Sequence, residues 1–222
     1  MDENRLDALK SEFKKEYPEF ISFISTHGRV VASSLLLALV ITLGFKMFVT
    51  RKSSSVADAA VAFANAKSVA DLEGIVSKYG STPTAPLAYM SLAKAYFDSG
   101  DYDMALGKYI DFQSEFPDHP LATAAELNTT ACLEAKGQID EAQSGYEAFL
   151  KKHPDHYLAN EALFGKARCF EQKGLWEQAR TVYEDYMVAN PRGVWFPRAE
   201  DALKEVDRHI ETKGATASES PS

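Results

Sequence analysis

Residues 84–120 (TAPLAYMSLAKAYFDSGDYDMALGKYIDFQSEFPDHP), 121–157 (LATAAELNTTACLEAKGQIDEAQSGYEAFLKKHPDHY) and 158–194 (LANEALFGKARCFEQKGLWEQARTVYEDYMVANPRGV) decide the fold. Laid over one another at a spacing of 37 residues, they return the same residue types at the same places: Gly100, Gly137 and Gly174; Ala105, Ala142 and Ala179; Tyr109, Tyr146 and Tyr183; Pro117, Pro154 and Pro191. Self-similarity at a fixed period marks a stacked repeat array. Each recurring residue has a mechanical role. The glycine lies between two helical patterns, where a left-handed turn ends the first helix without a Cβ clash. The alanine lets the second helix approach its partner, and the tyrosine four residues on lies on the same face and fills the space beside it. The proline stops the second helix, because it has no N–H and disfavours helix in the residue before it. Every unit therefore reads helix, tight turn, helix, stop.

Working outward, Val56–Ala66 and Val69–Tyr79 read as a degenerate pair within 56–83, with Pro83, Pro86 and Leu87 echoing Pro117, Pro120 and Leu121 at a spacing of 34. Downstream, 196–211 reads as a capping helix with Ala199, Leu203, Val206 and Ile210 on one face. The whole repeat domain is expected over 56–212, and 213–222 is small, polar and expected to be disordered. In the middle unit Thr129 and Thr130 stand where a large-plus-small pair is expected, which predicts looser packing of its first helix.

These positions resemble the tetratricopeptide-repeat family. Tyr89, Leu92, Ala93, Tyr96, Gly100, Tyr102, Ala105, Tyr109 and Pro117 match its signature in the first unit, and Leu163, Ala167, Phe170, Gly174, Trp176, Ala179, Tyr183 and Pro191 match it in the third. Two departures stand out. The period exceeds the usual 34 by three residues, inserted as Asp118-His119-Pro120 and Asp155-His156-Tyr157, and Phe112, Phe149 and Tyr186 replace a frequent alanine. The resemblance implies an all-α fold, an α-α superhelix of stacked helical hairpins. It also assigns the concave face of the first helices to Met90, Lys94 and Phe97, then Leu127 and Ala131, then Phe164, Arg168 and Glu171. That mixture of apolar patches and cations suits a partly unfolded polypeptide.

Before the repeats, Val30–Val49 (VVASSLLLALVITLGFKMFV) holds one charge in twenty residues, enough at ~1.5 Å per residue to cross a ~30 Å hydrocarbon core. Lys46 lies within a turn of its end, where it can snorkel beside Arg51 and Lys52. The expected order is a charged leader (1–29), a transmembrane helix (30–49) and a linker (50–55). A cleaved signal peptide is the alternative, but its n-region would be nearly thirty residues long and acidic, and the only small-x-small site, Ser55-Val56-Ala57, lies beyond the basic pair. Leu6, Leu9, Phe13, Phe20 and Phe23 make the leader either a short amphipathic helix broken at Pro18 or a solvated charged stretch. Flanking basic residues are nearly balanced, so the charge rule alone does not set orientation.

Residues 1–29 carry five basic and six acidic side chains and Lys46 adds one positive, which leaves the whole formal charge of −8 on residues 51–222. So acidic a domain argues against nucleic acid. No phosphate-binding glycine loop, nucleophile elbow, H-E-x-x-H or CxxC occurs, so neither catalysis, a cofactor nor a small-molecule substrate is expected. His119, His153 and His156 read as turn residues repeated with the unit or as a zinc site, and no third ligand is implied for the latter. Cys132 and Cys169 lie one repeat apart; equivalent points on stacked helices are roughly 8–10 Å apart, against about 5.5 Å for a disulfide. Two unpaired, buried thiols are therefore expected.

The leader, spanning helix, basic pair and Val56-Ala57-Asp58-Ala59-Ala60-Val61-Ala62-Phe63-Ala64-Asn65-Ala66 together resemble the bacterial ancillary subunit family of the Sec translocon. That resemblance implies a single-pass protein of the inner (cytoplasmic) membrane, with its N-terminus cytoplasmic and its repeat domain periplasmic, handling exported polypeptides and passing them to chaperones. The segments Phe116-Pro117-Asp118-His119-Pro120-Leu121-Ala122 and His153-Pro154-Asp155-His156-Tyr157-Leu158-Ala159 look more like the Tol-associated cell-division coordinators and outer-membrane assembly proteins of the same repeat class. Those families are secreted or lipid-anchored, whereas the apolar segment of this chain is expected to stay uncleaved and has no cysteine beside it. Both resemblances imply a scaffold for proteins rather than an enzyme.

Overall fold

The computed structural model describes residues 11–218 other than Phe13. Among them every regular element is a helix, in the order α1 (Pro18–Asn65), α2 (Val69–Tyr79), α3 (Ala85–Asp98), α4 (Tyr102–Glu115), α5 (Ala122–Ala135), α6 (Ile139–Lys152), α7 (Ala159–Gln172), α8 (Trp176–Ala189) and α9 (Phe196–Ser218). The chain divides into two units, Met1–Ala57 and Asp58–Ser222.

In the first unit the described residues are dominated by the apolar part of α1, whose large side chains face outward; Leu35, Phe45 and Phe48 are all exposed. Among the described residues, one helical stretch, Thr26–Asn65, is long and apolar enough to cross a membrane. Helical backbone runs through 50–55, which was expected as a linker, because no glycine or proline interrupts it. Of the leader residues read as amphipathic, Leu6, Leu9 and Phe13 lie outside the described residues.

The second unit is a stack of helical hairpins. Helices α3, α5 and α7 begin 37 residues apart, as do α4, α6 and α8, and all six contain 14 residues. The turn inside each hairpin explains that regularity. Gly100, Gly137 and Gly174 have φ of 82°, 77° and 69°, a left-handed conformation that costs an L-residue about 1–2 kcal/mol. With the glycine so turned, its N–H reaches the carbonyl three residues back and the next N–H the carbonyl five back, as in Gly100 to Phe97 (3.0 Å) and Asp101 to Tyr96 (2.9 Å). The same pair of bonds recurs at Gly137 with Gln138 and at Gly174 with Leu175, so the last carbonyls of each first helix are satisfied. Upstream, Ser68 and Asp71 form a capping box that starts α2.

The core runs along the stack. Ala105, Ala142 and Ala179 are fully buried, with Tyr109, Phe112, Tyr146, Phe149, Tyr183 and Tyr186 beside them. The middle unit is not loosened by its threonines. A Cβ on Gly145 would lie 2.7 Å from Thr130 Oγ1, so the larger residue on α5 fills the space left by a missing side chain on α6. Thr129 accepts a hydrogen bond from Gln113 and donates to the Ala125 carbonyl. Cys132 and Cys169 are fully buried free thiols, each pushed up by burial to about 11. Helix α9 extends to Ser218, through 213–218 that were expected to be disordered. Residues 219–222 lie outside the described part.

Two glycines should respond oppositely to alanine. At Gly165 a Cβ would lie 2.3 Å from the Tyr146 ring, whereas at Gly107 it meets nothing within 4 Å. In urea melts G165A should lose about 1–3 kcal/mol through overpacking, while G107A should gain roughly 0.5–1 kcal/mol from helix propensity. Both thiols should resist alkylation in the native state at pH 7 and react at once in denaturant; rapid native labelling would contradict their burial.

Candidate groove and its inter-repeat clasps

The first helices of the hairpins and the last helix together line one groove of about 520 Å³, bounded by Lys94, Phe97 and Asp98 of α3, Tyr109 of α4, Asn128 and Ala131 of α5, Glu161 and Arg168 of α7, and Arg198 of α9. Four of the eight residues expected on the concave face are there: Lys94, Phe97, Ala131 and Arg168. The other four are not. Met90 is half-buried against the core of the first hairpins. Leu127 and Phe164 are only 3% and 2% exposed, and the expectation that they form the binding face is corrected. The reason for Phe164 is a neighbour outside the repeat pattern. Its ring is edged by Tyr183, Tyr186 and Trp195 at 5.1–5.3 Å, and Arg198 lies over its face at 5.7 Å. Glu171 serves as an internal acceptor, taking a 2.6 Å hydrogen bond from the Tyr183 hydroxyl.

That bond belongs to a repeated device. Tyr146 donates to Glu134 at 2.6 Å, one repeat before the Tyr183–Glu171 pair. Glu134 also receives Arg168 through Nε (2.7 Å) and a second guanidinium nitrogen (2.8 Å), and Gln172 through Nε2 (3.1 Å). A bidentate guanidinium–carboxylate pair is among the stronger polar contacts in proteins. Here it ties α5 to α7 across the groove wall, while Tyr146 ties in α6. Burial opposes the charge on Arg168, yet the carboxylate of Glu134 raises the guanidinium further above its ordinary value. Burial, reinforced by the carboxylate acceptors, pushes Tyr146 and Tyr183 far above the normal phenol range, so both act as donors. Upstream, Tyr96 hydrogen-bonds Glu73 and joins α3 to α2.

Glu134, which holds the groove-lining Arg168, was missed although it stands 37 residues after Phe97 and before Glu171. The repeat spacing alone could have found it. Asp98, Asn128, Glu161 and Tyr109 were also missed, the last because buried aromatics at helical spacing read as core. No repeat signal reaches Arg198, which stacks over Trp195 at 4.7 Å. The histidines of the inter-unit turns have a structural use: Nδ1 of His119 accepts the Leu121 N–H (3.1 Å) and Nδ1 of His156 that of Leu158 (3.2 Å). Among the described residues there is no group of three metal-ligating side chains.

A family model described as a tetratricopeptide repeat-like domain matches residues 22–194. The chain belongs to that family. No curated protein matches it. Among solved structures it is similar to kinesin light chain nearly identical TPR-like repeats from Podosopora anserina, at 19% identity and a TM-score of 0.50, covering 74% of this chain and 93% of that one. It is also similar to MamA (41-end) from Desulfovibrio magneticus RS-1, at 13% identity and a TM-score of 0.48 over 77% and 97% of the two chains. The first of these is a likeness of fold. A tetratricopeptide-type stack with an open groove is suited to protein–protein interaction.

If the clasp ties neighbouring hairpins, Glu134 and Arg168 should be energetically coupled. A double-mutant cycle of E134A and R168A in urea should return a coupling of about 1–3 kcal/mol, with E134A alone costing about 2 kcal/mol because it strands the donors of Tyr146, Arg168 and Gln172. Additive effects would show that the contact carries no stability.

Proposed function

We propose that this chain is a membrane-anchored scaffold whose groove holds segments of unfolded, newly exported polypeptide beside the Sec translocon, with the repeat domain in the periplasm. One observation carries the reading: the groove is lined by both apolar and charged side chains, Phe97 and Ala131 beside Lys94, Arg168 and Arg198, and is long enough to touch five helices. Such a surface favours an extended chain, which offers side chains and backbone together, over a small rigid ligand. The apolar segment of α1 supports the anchor, since exposed leucine, isoleucine and phenylalanine in a helix of that length are stable in a bilayer and costly in water.

Holding a polypeptide needs no chemistry beyond reversible burial. Apolar side chains of the guest would shed water against Phe97, at ~25 cal/mol per Å² of apolar area removed. Cations at the rim would speed encounter with acidic segments. Because α1 would hold the groove at the membrane surface, effective concentration at a neighbouring export channel would be high without tight binding.

The test has two readouts. In bacterial spheroplasts, added protease should degrade the repeat domain and spare an N-terminal tag, and a photocrosslinker placed at Phe97 should trap Sec components and exported chains. A repeat domain protected in spheroplasts, or crosslinks confined to cell-division or barrel-assembly proteins, would overturn the reading.

A further inference from the structure

One level of the groove lacks the device that closes the others. Tyr109 stands where Tyr146 and Tyr183 stand, but the residue twelve positions before it is Phe97, not a glutamate. The position that supplies the guanidinium one unit later, Arg168, is Ala131 at this level, and Gln172 is replaced by Ala135. Acid, base and amide are thus all missing from the first clasp, while the phenol remains. Phe97 turns its ring against Tyr102 instead, with centroids 5.2 Å apart.

The Tyr109 side chain is only 4% exposed and lines the groove, and among the described residues no group accepts a hydrogen bond from its hydroxyl. Asp98 lines the same groove, but its carboxylate is held by Lys94 at 2.7 and 2.8 Å. The ring is covered while the hydroxyl opens on the groove, where a guest's acceptor would replace solvent. Burial also holds Tyr109 well above the ordinary phenol range, so it stays a donor at any physiological pH. With neither carboxylate nor guanidinium here, Phe97 and Tyr109 border the open groove instead of a closed clasp.

We propose that the guest polypeptide completes this clasp: a Glu or Asp side chain, flanked by apolar residues, accepts from Tyr109 in the place that Glu134 and Glu171 fill for the later tyrosines. The inference rests on the reading that the groove binds polypeptide, and it names the segment chosen. Lys94, which lines the same groove, supplies the cation; its bond to Asp98 is solvent-exposed and readily exchanged. Arg198 adds positive charge along the groove, while Arg168 is already held by Glu134. The flanking apolar residues of the guest lie against Phe97 and Ala131.

The full chain in zwitterionic nanodiscs can be titrated at pH 7 into two amidated, fluorescein-labelled peptides, SLFSELFSG and its twin SLFSQLFSG, with empty nanodiscs as the blank. The glutamate peptide should bind about tenfold more tightly, the size of one charge-assisted hydrogen bond. That preference should fall below about twofold in Y109F, which removes only the hydroxyl, and in F97E, which supplies the acid from within the chain. Should Y109F fail to fold, F97E decides. Equal binding of the two peptides by the wild type overturns the acidic selection and leaves polypeptide binding standing. A preference that survives in both variants places the acid elsewhere and also overturns it. If neither peptide binds, the inference falls together with the reading beneath it.

Discussion

The stack depends on what one tyrosine per hairpin can reach. Tyr146 lies on the second helix of its unit, yet its ring fills the space where Gly165 of the next unit has no side chain, and its hydroxyl ends on Glu134 of its own first helix. Three consecutive helices are fixed by one rigid side chain with two rotatable bonds. Ala142, four residues earlier and fully buried, allows the close approach that makes this reach sufficient. The left-handed glycine then sets where each hairpin reverses. Repeat proteins are held by such nearest-neighbour contacts rather than by one central core. Loss of a contact at one interface is felt by two hairpins and no more.

That locality decides what a reader of the sequence can find. Glycine, alanine, tyrosine and proline at a spacing of 37 are constrained by backbone geometry and by contacts within or next to their own unit, so their pattern is visible without coordinates. Residues whose surroundings are set by another element are not. Phe164 shares a register with Met90 and Leu127, which places it on the groove side of its helix, but Trp195 and Arg198 cover it because a last, non-repeated helix lies there. Compensation across an interface is equally hidden. Thr130 looks like a departure from the family pattern until Gly145 is seen opposite, and then the two read as one exchange of volume. The groove was legible in part for the same reason: Lys94, Phe97, Ala131 and Arg168 follow from helix register, whereas Tyr109 had to be distinguished from its two equivalents by what its hydroxyl lacks.

Charge gives the groove its character. Residues 51–222 carry the whole formal charge of −8, yet the groove gathers Lys94, Arg168 and Arg198 against Asp98 and Glu161. At physiological ionic strength the Debye length is about 8 Å, so the acidic exterior repels an approaching anion only weakly beyond that distance. Inside the groove the separations are shorter, so a guest meets Arg198 and the exchangeable Lys94 before it meets the distant acids. A guest with a few isolated acids among apolar residues meets attraction at the rim and apolar surface on the floor. A strongly acidic guest loses as much to the exterior as it gains.

The three levels of the groove also differ in how much freedom they keep. At the middle level Arg168 spends both guanidinium contacts on Glu134, so the charge is already neutralised and offers a guest little. At the last level Glu171 is occupied by Tyr183. The first level alone keeps an apolar ring, an unengaged phenol hydroxyl and a cation whose partner is exposed. A repeat array gains rigidity by making every interface alike, and it gains a binding site by leaving one of them incomplete. The rigid levels hold the helices that frame the incomplete one, so the hydroxyl of Tyr109 waits in a fixed position rather than on a moving loop, and little ordering remains to be done when a guest arrives.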